Sequence, residues 1–442
     1  MLNTQNKTIY ALSSASGRAG LSIIRISGSN ALNTQELLGF KIGKPRESKF
    51  CKLLDQNTQE TIDNSLVTYF KSPKSFTGED VIEISVHGGK AILDKIFAVL
   101  SKDQSFSYAQ PGEFTRRAFI NGKLDLLAVE GLGDIINAET EFQRKQAYDQ
   151  MEGRASELYN GWTDRLVKSL SYIEATIDFT EEDIPENLLS EQILEIEEIY
   201  REIQSHLNDN RRGERLRDGY KIIIAGPPNT GKSSLFNHLS NRDIAIVSPS
   251  AGTTRDSLEV HLDIKGFPVT VIDTAGIRKS QSKIEEKGIQ ISEKKMQDAD
   301  LILWLRDSSK KKNMPVPKNI LDKTMEVWTK ADININKKNN KKIGPLISTK
   351  EDIGFTQLID IIAKKVELGC RNEGQSITRS RHRDALQKAI NYLSNIVNDD
   401  HLEIEVIAEE LRLAVISLSR ITGKVDVEDL LEVIFADFCI GK

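Results

Sequence analysis

The residues best suited to chemistry lie near the middle of the chain, in Gly226-Pro227-Pro228-Asn229-Thr230-Gly231-Lys232-Ser233. The spacing is G-x-x-x-x-G-K-S, a loop whose backbone N–H groups can surround phosphate anions where a helix begins. Lys232 can reach the β- and γ-phosphates, the Ser233 hydroxyl can take a position on Mg²⁺, and Ser234 follows in the same helix start. Downstream, Asp273-Thr274-Ala275-Gly276 has the form in which a carboxylate stands near Mg²⁺ and a glycine can sense the γ-phosphate. Between the two, Ala251-Gly252-Thr253-Thr254-Arg255-Asp256 is a polar loop whose threonine could complete the metal shell. Thr329-Lys330-Ala331-Asp332 sits where a base-reading N-K-x-D is expected, and Ser348-Thr349-Lys350 is a candidate fifth loop. A carboxylate at Asp332 can accept from guanine N1 and N2, which adenine cannot satisfy.

The elements that must position these groups are legible as apolar runs. Residues 221–225 and 269–272 read as buried strands, the first feeding the glycine-bounded loop and then a helix. Five elements in this order imply a guanine-nucleotide hydrolase domain of the Ras-like superclass, occupying about 219–370. At 442 residues the chain has room for two or three domains. A net charge of −5 makes no demand for a nucleic-acid partner. Three cysteines, Cys51, Cys370 and Cys439, are far apart and in no C-x-x-C, which argues for a reducing compartment and against a disulfide framework or zinc ribbon. No charged leader precedes an apolar run, and no stretch approaches ~18 consecutive apolar residues. Neither export nor a membrane span is expected, and the cytoplasm is the default.

The N-terminal part reads as α/β. Residues 8–28 form strand, turn and strand, with Ile24 and Ile26 on one face and Arg25 and Ser27 on the other. Residues 81–86 alternate in the same way, with Glu83 opposite the isoleucines. His87-Gly88-Gly89 then turns into a helix over 90–100, and His87 reads as a turn residue. Charges inside apolar strands are costly unless exposed or paired, so a solvated face or a structural pair of Arg25 and Glu83 is the plainer reading of the residues alone. From about Leu124 the period becomes helical. Met151, Ala155, Leu158, Trp162, Leu166, Leu170 and Ile173 predict an apolar stripe down one long helix. An acidic loop at 179–185 and Lys-rich runs at 309–313 and 334–342 read as solvated. Further helices are expected over 193–207, 383–397 and 403–421, the two helical stretches packing together with the nucleotide domain inserted between them.

Taken together, these motifs carry a resemblance that covers nearly the whole chain. Gly17-Arg18-Ala19-Gly20, Arg25-Ile26-Ser27-Gly28, Ser75-Phe76-Thr77-Gly78-Glu79-Asp80 and His87-Gly88-Gly89 belong to it. So do Pro111-Gly112-Glu113-Phe114, Lys123-Leu124-Asp125-Leu126, Gly252-Thr253-Thr254-Arg255-Asp256 and the terminal Cys439-Ile440-Gly441-Lys442. The sequence resembles the MnmE (TrmE) family of tRNA uridine-modification GTPases. The resemblance implies an α/β plus α build: an N-terminal α/β domain (1–120) that dimerises and binds a tetrahydrofolate derivative (5-formyl- or 5,10-methylene-), a helical domain made from 121–218 and 371–442, and an inserted Ras-like P-loop G domain of TrmE type (219–370). It implies a homodimer, a heterotetramer with the FAD-containing flavoprotein MnmG (GidA), and tRNA as substrate. The joint product would be 5-carboxymethylaminomethyluridine at the wobble position, with the folate supplying one carbon. Folate contacts would fall on Arg25, Glu83, Lys123 and Lys442, replacing the plainer reading of the first two. A carboxylate suits the 2-amino and N3–H edge of a pterin, and a cation suits the glutamate tail. No G-x-G-x-x-G follows a strand, consistent with flavin coming from the partner.

Ras-type enzymes place a glutamine directly after Asp-x-x-Gly to orient the attacking water. This chain has Ile277 there. The resemblance implies a switch glutamate instead, Glu285, with a K⁺ ion in place of an arginine finger when two G domains meet. Asn229 and the loop of Ser248, Pro249, Ser250, Ala251, Gly252 and Thr253 would hold K⁺, through Asn229, Ser248, Ser250 and Thr253; Ser233 and Thr254 would hold Mg²⁺. Nucleotide contacts would come from Thr230, Gly231, Lys232, Ser233, Ser234, Asp273, Thr274, Ala275, Gly276, Lys330, Asp332 and Ser348. Thr329 departs from the pattern by removing the amide that bonds the base edge and braces the P-loop, an expected loss of ~1–2 kcal/mol. Thr349 replaces a usual alanine. The competing class is a GTP-switched, non-enzymatic assembly factor, which has no evident use for the N-terminal domain or the Cys-Ile-Gly-Lys tail.

Overall fold

The structure, a computed structural model, describes residues 7–178, 188–242, 244–246, 259–273, 296–310, 313–333, 344–371, 376–399, 401–425, 427–436, 438 and 440–441. The chain divides into two compact units. One comprises 1–133, 150–160 and 418–442; the other comprises 134–149 and 161–417.

The first unit is built on a six-stranded sheet of β1 (Thr8–Leu12), β2 (Ala19–Ser27), β3 (Ser48–Asp55), β4 (Glu60–Phe70), β5 (Val81–Gly88) and β6 (Phe106–Tyr108). The order is β3-β4-β5-β2-β1-β6, antiparallel except where β6 joins β1. Strict alternation sends Ile24, Ile26, Ile82, Ile84, Val67 and Leu53 to one face, where the helix Lys90–Leu100 buries Leu93, Ile96 and Val99 on the same core. That helix has the bounds its sequence predicts. On the other face the register lines up Phe50, Leu66, Ser85 and Ile23 across four strands. Phe50, Leu66 and Ile23 are 70 %, 47 % and 36 % exposed. The neighbouring row is Thr68, Glu83 and Arg25. Ser27 shares Arg25's face yet is fully buried, because Thr77 and Glu79 bond its hydroxyl at 2.7 Å. Toward the end of the chain, Phe435 and Phe438 pack on Val129. Gly112 (φ +67°) lies so close to this segment that a Cβ there would meet Phe435 O at 2.7 Å.

The second unit holds a five-stranded sheet of β7 (Tyr220–Ala225), β8 (Glu259–Ile264), β9 (Phe267–Asp273), β10 (Leu301–Asp307) and β11 (Thr324–Thr329). Its order is β11-β10-β7-β9-β8, parallel but for β8. Both faces of the central strands are buried, which is why they read as continuous apolar runs. Leu235 and Leu239 of the helix Lys232–Ser240 and Leu358, Ile362 and Val366 of the helix Phe355–Cys370 complete one core. From β7 the chain goes by way of the edge strand β8 to β9 on one side and later to β10 on the other, so the loop after β7 stands at the topological switch point where open α/β sheets bind ligands. At the far end of β9, the ring of Phe142 stacks on Phe267 (centroids 4.2 Å apart, planes at 18°).

The helices follow the predicted stripes with one correction. Met151 does not share a helix with Leu158 and Ile173: it closes Glu141–Met151, and a new helix, Arg154–Asp178, starts after Gly153 (φ +88°). The helix Leu188–Leu207 packs along Ser380–Asn398, each burying an apolar stripe. Just before β7, Arg215 pairs with Asp300 at 2.6 Å and Arg217 with Asp134 at 2.9 Å.

Candidate functional site

The phosphate loop leaves β7 at Gly226, whose φ of +141° and approach to Leu305 O (2.8 Å from a would-be Cβ) admit only glycine. Asn229 takes the left-handed conformation at φ +60° and exposes its amide, and Gly231 at φ +91° opens the helix Lys232–Ser240. Thr230 turns inward and donates its hydroxyl to Pro227 O at 2.8 Å. The Lys232 ammonium folds over the loop onto Gly226 O (3.1 Å) and Pro227 O (2.9 Å), in the middle of the backbone cradle.

Beside it, Ser233 Oγ donates to Asp273 Oδ2 at 3.1 Å, and Asp273 is fully buried at the end of β9. Two hard oxygens about 3 Å apart match neighbouring corners of an octahedron with ~2.1 Å bonds, so this pair fits Mg²⁺. Among the described residues there is no group of three or more His, Cys, Asp or Glu side chains that could hold a metal. Ser234 follows on the same helix.

The base end is assembled from three segments. β11 delivers Thr329, whose Oγ1 donates to Thr230 O at 2.8 Å, so the brace expected to be lost with the asparagine is retained by a hydroxyl. Lys330 (φ +60°) sends its ammonium to Asp307 Oδ2 at 2.6 Å. Burial alone would raise the Asp307 pKa, but Lys330 and the Ser309 donors outweigh it and hold the carboxyl below the usual carboxylate range. Asp332 Oδ1 accepts from Ser348 Oγ at 2.7 Å, which aligns the carboxylate from one side. Ala331 N donates to Ile347 O at 3.0 Å, joining the two loops. Behind the fifth loop, Arg242 bonds both His238 (3.1 Å) and Asp352, and lies 4.9 Å from the centroid of the Phe355 ring. That cluster fastens the end of the phosphate-binding helix to the loop after Ser348.

Asp307 was not singled out from sequence. The available signal was an Arg306-Asp307 pair closing an otherwise apolar run. Ser248, Pro249, Ser250, Ala251, Gly252, Thr253, Thr254, Thr274, Ala275, Gly276, Glu285, Cys439 and Lys442 lie outside the described residues.

In the first unit, Arg25 and Glu83 meet directly, NH2 to Oε1 at 2.8 Å and Nε to Oε1 at 2.9 Å. The guanidinium carbon lies 5.2 Å from the Phe76 ring centroid and 5.8 Å from that of Phe114. Gly441 O is held by Ser13 Oγ at 2.6 Å and by Arg25 NH1 at 3.5 Å, which brings the chain next to Lys442 to this pair. Lys123 Nζ bonds Pro73 O at 3.1 Å, on the segment that leads to Phe76. His87 is more than a turn residue: its Nδ1 and backbone N each contact an Asp63 carboxylate oxygen at 2.8 Å.

Comparison with known proteins gives the family of the chain. The profile of the MnmE helical domain matches residues 126–439, and that of the GTP-binding protein TrmE N-terminus matches 8–123. A tRNA modification GTPase MnmE of Wolbachia sp. subsp. Drosophila simulans is 46 % identical, with 100 % of each chain covered. The protein of that name from Parvibaculum lavamentivorans is 45 % identical over 99 % of this chain and 100 % of its own. That from Agrobacterium fabrum is 42 % identical over 98 % and 99 %. Two family profiles and relatives matched from end to end lead to one conclusion: the chain belongs to the MnmE family.

Proposed function

We propose that the chain is a K⁺-activated GTPase whose cycle serves tRNA modification, with domains at 1–120, 121–218 with 371–442, and 219–370. The observation that carries the reading is the convergence of Lys232, Ser233 and Asp273 at one end of the switch-point crevice with Lys330, Asp332 and Ser348 on the strand-end loops beside it. Lys232 would bind the β- and γ-phosphates, the cradle N–H groups would orient them, and the Asp332 carboxylate would accept from guanine. Ser233 and Asp273 fit Mg²⁺, which supplies charge neutralisation on the β- and γ-oxygens when bound. The exposed Asn229 amide fits K⁺, which supplies charge beside the transferring phosphoryl group; arginine fingers doing this give ~10³–10⁵ in kcat. Glu285 would orient the attacking water.

The wider reaction rests on family membership. A flavoprotein partner, MnmG, and a tetrahydrofolate would join in building carboxymethylaminomethyluridine at the wobble position of tRNA. The pair of Arg25 and Glu83, flanked by Phe76 and Phe114 and next to Gly441, suits a flat pterin with a donor edge. The exposed row of Phe50, Leu66 and Ile23 supports a homodimer through the first unit. Cytoplasmic residence is proposed from family membership; among the described residues no helix is long and apolar enough to cross a membrane.

The test is GTP hydrolysis by purified protein in K⁺ against Na⁺ at matched ionic strength, with wobble-uridine content measured in cells lacking the protein. Faster turnover in K⁺ and an unmodified uridine are expected. Equal rates in both salts would remove the K⁺ site; a normal uridine would favour a switch that assembles complexes without modifying RNA.

A further inference from the structure

Thr329 stands where the base-reading motif ordinarily has an asparagine, and the fold gives its hydroxyl an inward task. The side chain is 4 % exposed at the end of β11. Its Oγ1 lies 2.8 Å from the carbonyl of Thr230, 99 positions earlier in the chain, and 3.2 Å from Arg306 O. A hydroxyl has one proton, and the shorter contact takes it. The acceptor belongs to the phosphate loop, immediately before Gly231 and Lys232, and Thr230 is itself 1 % exposed. From the other side, the residue after β10 grips the same corner: Ser308 N donates to Thr329 O at 3.1 Å and Ser308 Oγ to Lys330 O at 3.0 Å.

We infer that Thr329 is a positioning residue that keeps the phosphate loop and the base-reading loop in register and takes no part in reading the 2-amino edge of the base. The inference rests on the nucleotide-binding role proposed above and adds a division of labour within it. An asparagine could serve both loop and base through its separate oxygen and NH₂ group. Thr329 commits its donor to the loop, which leaves discrimination between bases to Asp332, held by Ser348 at 2.7 Å, and to the Lys330 stem, held by Asp307 at 2.6 Å. Loss of the Thr329 hydroxyl therefore weakens every purine nucleotide alike, whereas loss of the Asp332 carboxylate changes which purine is preferred.

The experiment measures the affinity of the full-length protein for GDP and for inosine diphosphate, which lacks the 2-amino group that Asp332 would accept. Thr329→Val strips the donor from a buried carbonyl, and both affinities are expected to fall about tenfold, with their ratio unchanged within about twofold. Thr329→Ser restores the donor and is expected to return both to near the parent value; Thr329→Ala replaces the valine variant should that one not fold. Unchanged affinities in the hydroxyl-free variant, or a several-fold change in the GDP to inosine diphosphate ratio, would overturn the inference. Failure of the parent protein to bind either nucleotide would instead count against the GTPase reading.

Discussion

The carboxylate of Asp307 and the ammonium of Lys330 meet at 2.6 Å, with the carboxylate almost wholly enclosed and the lysine about one-third exposed. Asp307 also accepts from the backbone and side chain of Ser309, and its own N–H donates to Asn313 Oδ1. The lysine proposed to lie along the base is thus fixed at its ammonium end by Asp307.

Replacing that group gives the first expectation. Asp307→Asn keeps the shape and removes the charge, so GTP binding should weaken about five- to tenfold, a modest loss because the lysine is partly exposed to water. The same variant has a pH signature. The Asp307 pKa is lowered by its donors against the opposing effect of burial. The native state therefore binds fewer protons than the unfolded chain just below an ordinary Asp pKa of about 3.9, and stability rises with pH there. The contribution is present above that value and is lost as pH falls through the native pKa. Melting temperatures from pH 6 to pH 3 should drop more steeply in the parent than in Asp307→Asn, and parallel curves would contradict the assignment.

Asp332→Asn exchanges an acceptor-only carboxylate for an amide that can also donate. Affinity for GDP should fall by about 10- to 100-fold, as expected for losing charge-assisted hydrogen bonds, while xanthosine diphosphate, with a 2-oxo group, should gain. Competition binding measures both, and an unchanged preference for guanine would place base recognition elsewhere.

Glu285→Ala should bind GTP as the parent does and lose most of its hydrolysis. Single-turnover rates at saturating nucleotide separate the two effects; near-normal turnover would reject Glu285 as the water-orienting group.

The apolar row on the first unit invites a fourth measurement. Phe50→Asp combined with Leu66→Asp places charge on two exposed sheet positions that face away from the Ile24 and Ile84 core. The mass in solution should fall from that of a dimer to the 49.6 kDa of one chain, without loss of the melting transition. A mass unaffected by both charges would move the interface to another surface.

What could be read from the sequence was whatever depends on near neighbours. The P-loop is a spacing of eight residues, and the strand of Ile24 and Ile26 declares itself by alternation. The helix Lys90–Leu100 is bounded by Gly89 and Ser101. The stripe of Met151 and Ile173 misled because a helical period continues in register across Gly153, although that glycine was itself a warning. Contacts between Thr329 and Thr230, Lys330 and Asp307, or His87 and Asp63 were out of reach. The first two exist only because the sheet orders β11, β10 and β7 side by side, and the third depends on the pairing of β4 with β5.

β9 is seven residues long, about 20 Å of fully extended chain, and is hydrogen-bonded on both edges. A ribbon paired on both edges is held in length and in register by its neighbours, like a fixed rod. Phe267, pressed against Phe142, is one end of the rod, and Asp273, beside Ser233, is the other. The pairing register with β7 and β8 therefore fixes how far the Asp273 carboxylate stands from the stacked rings.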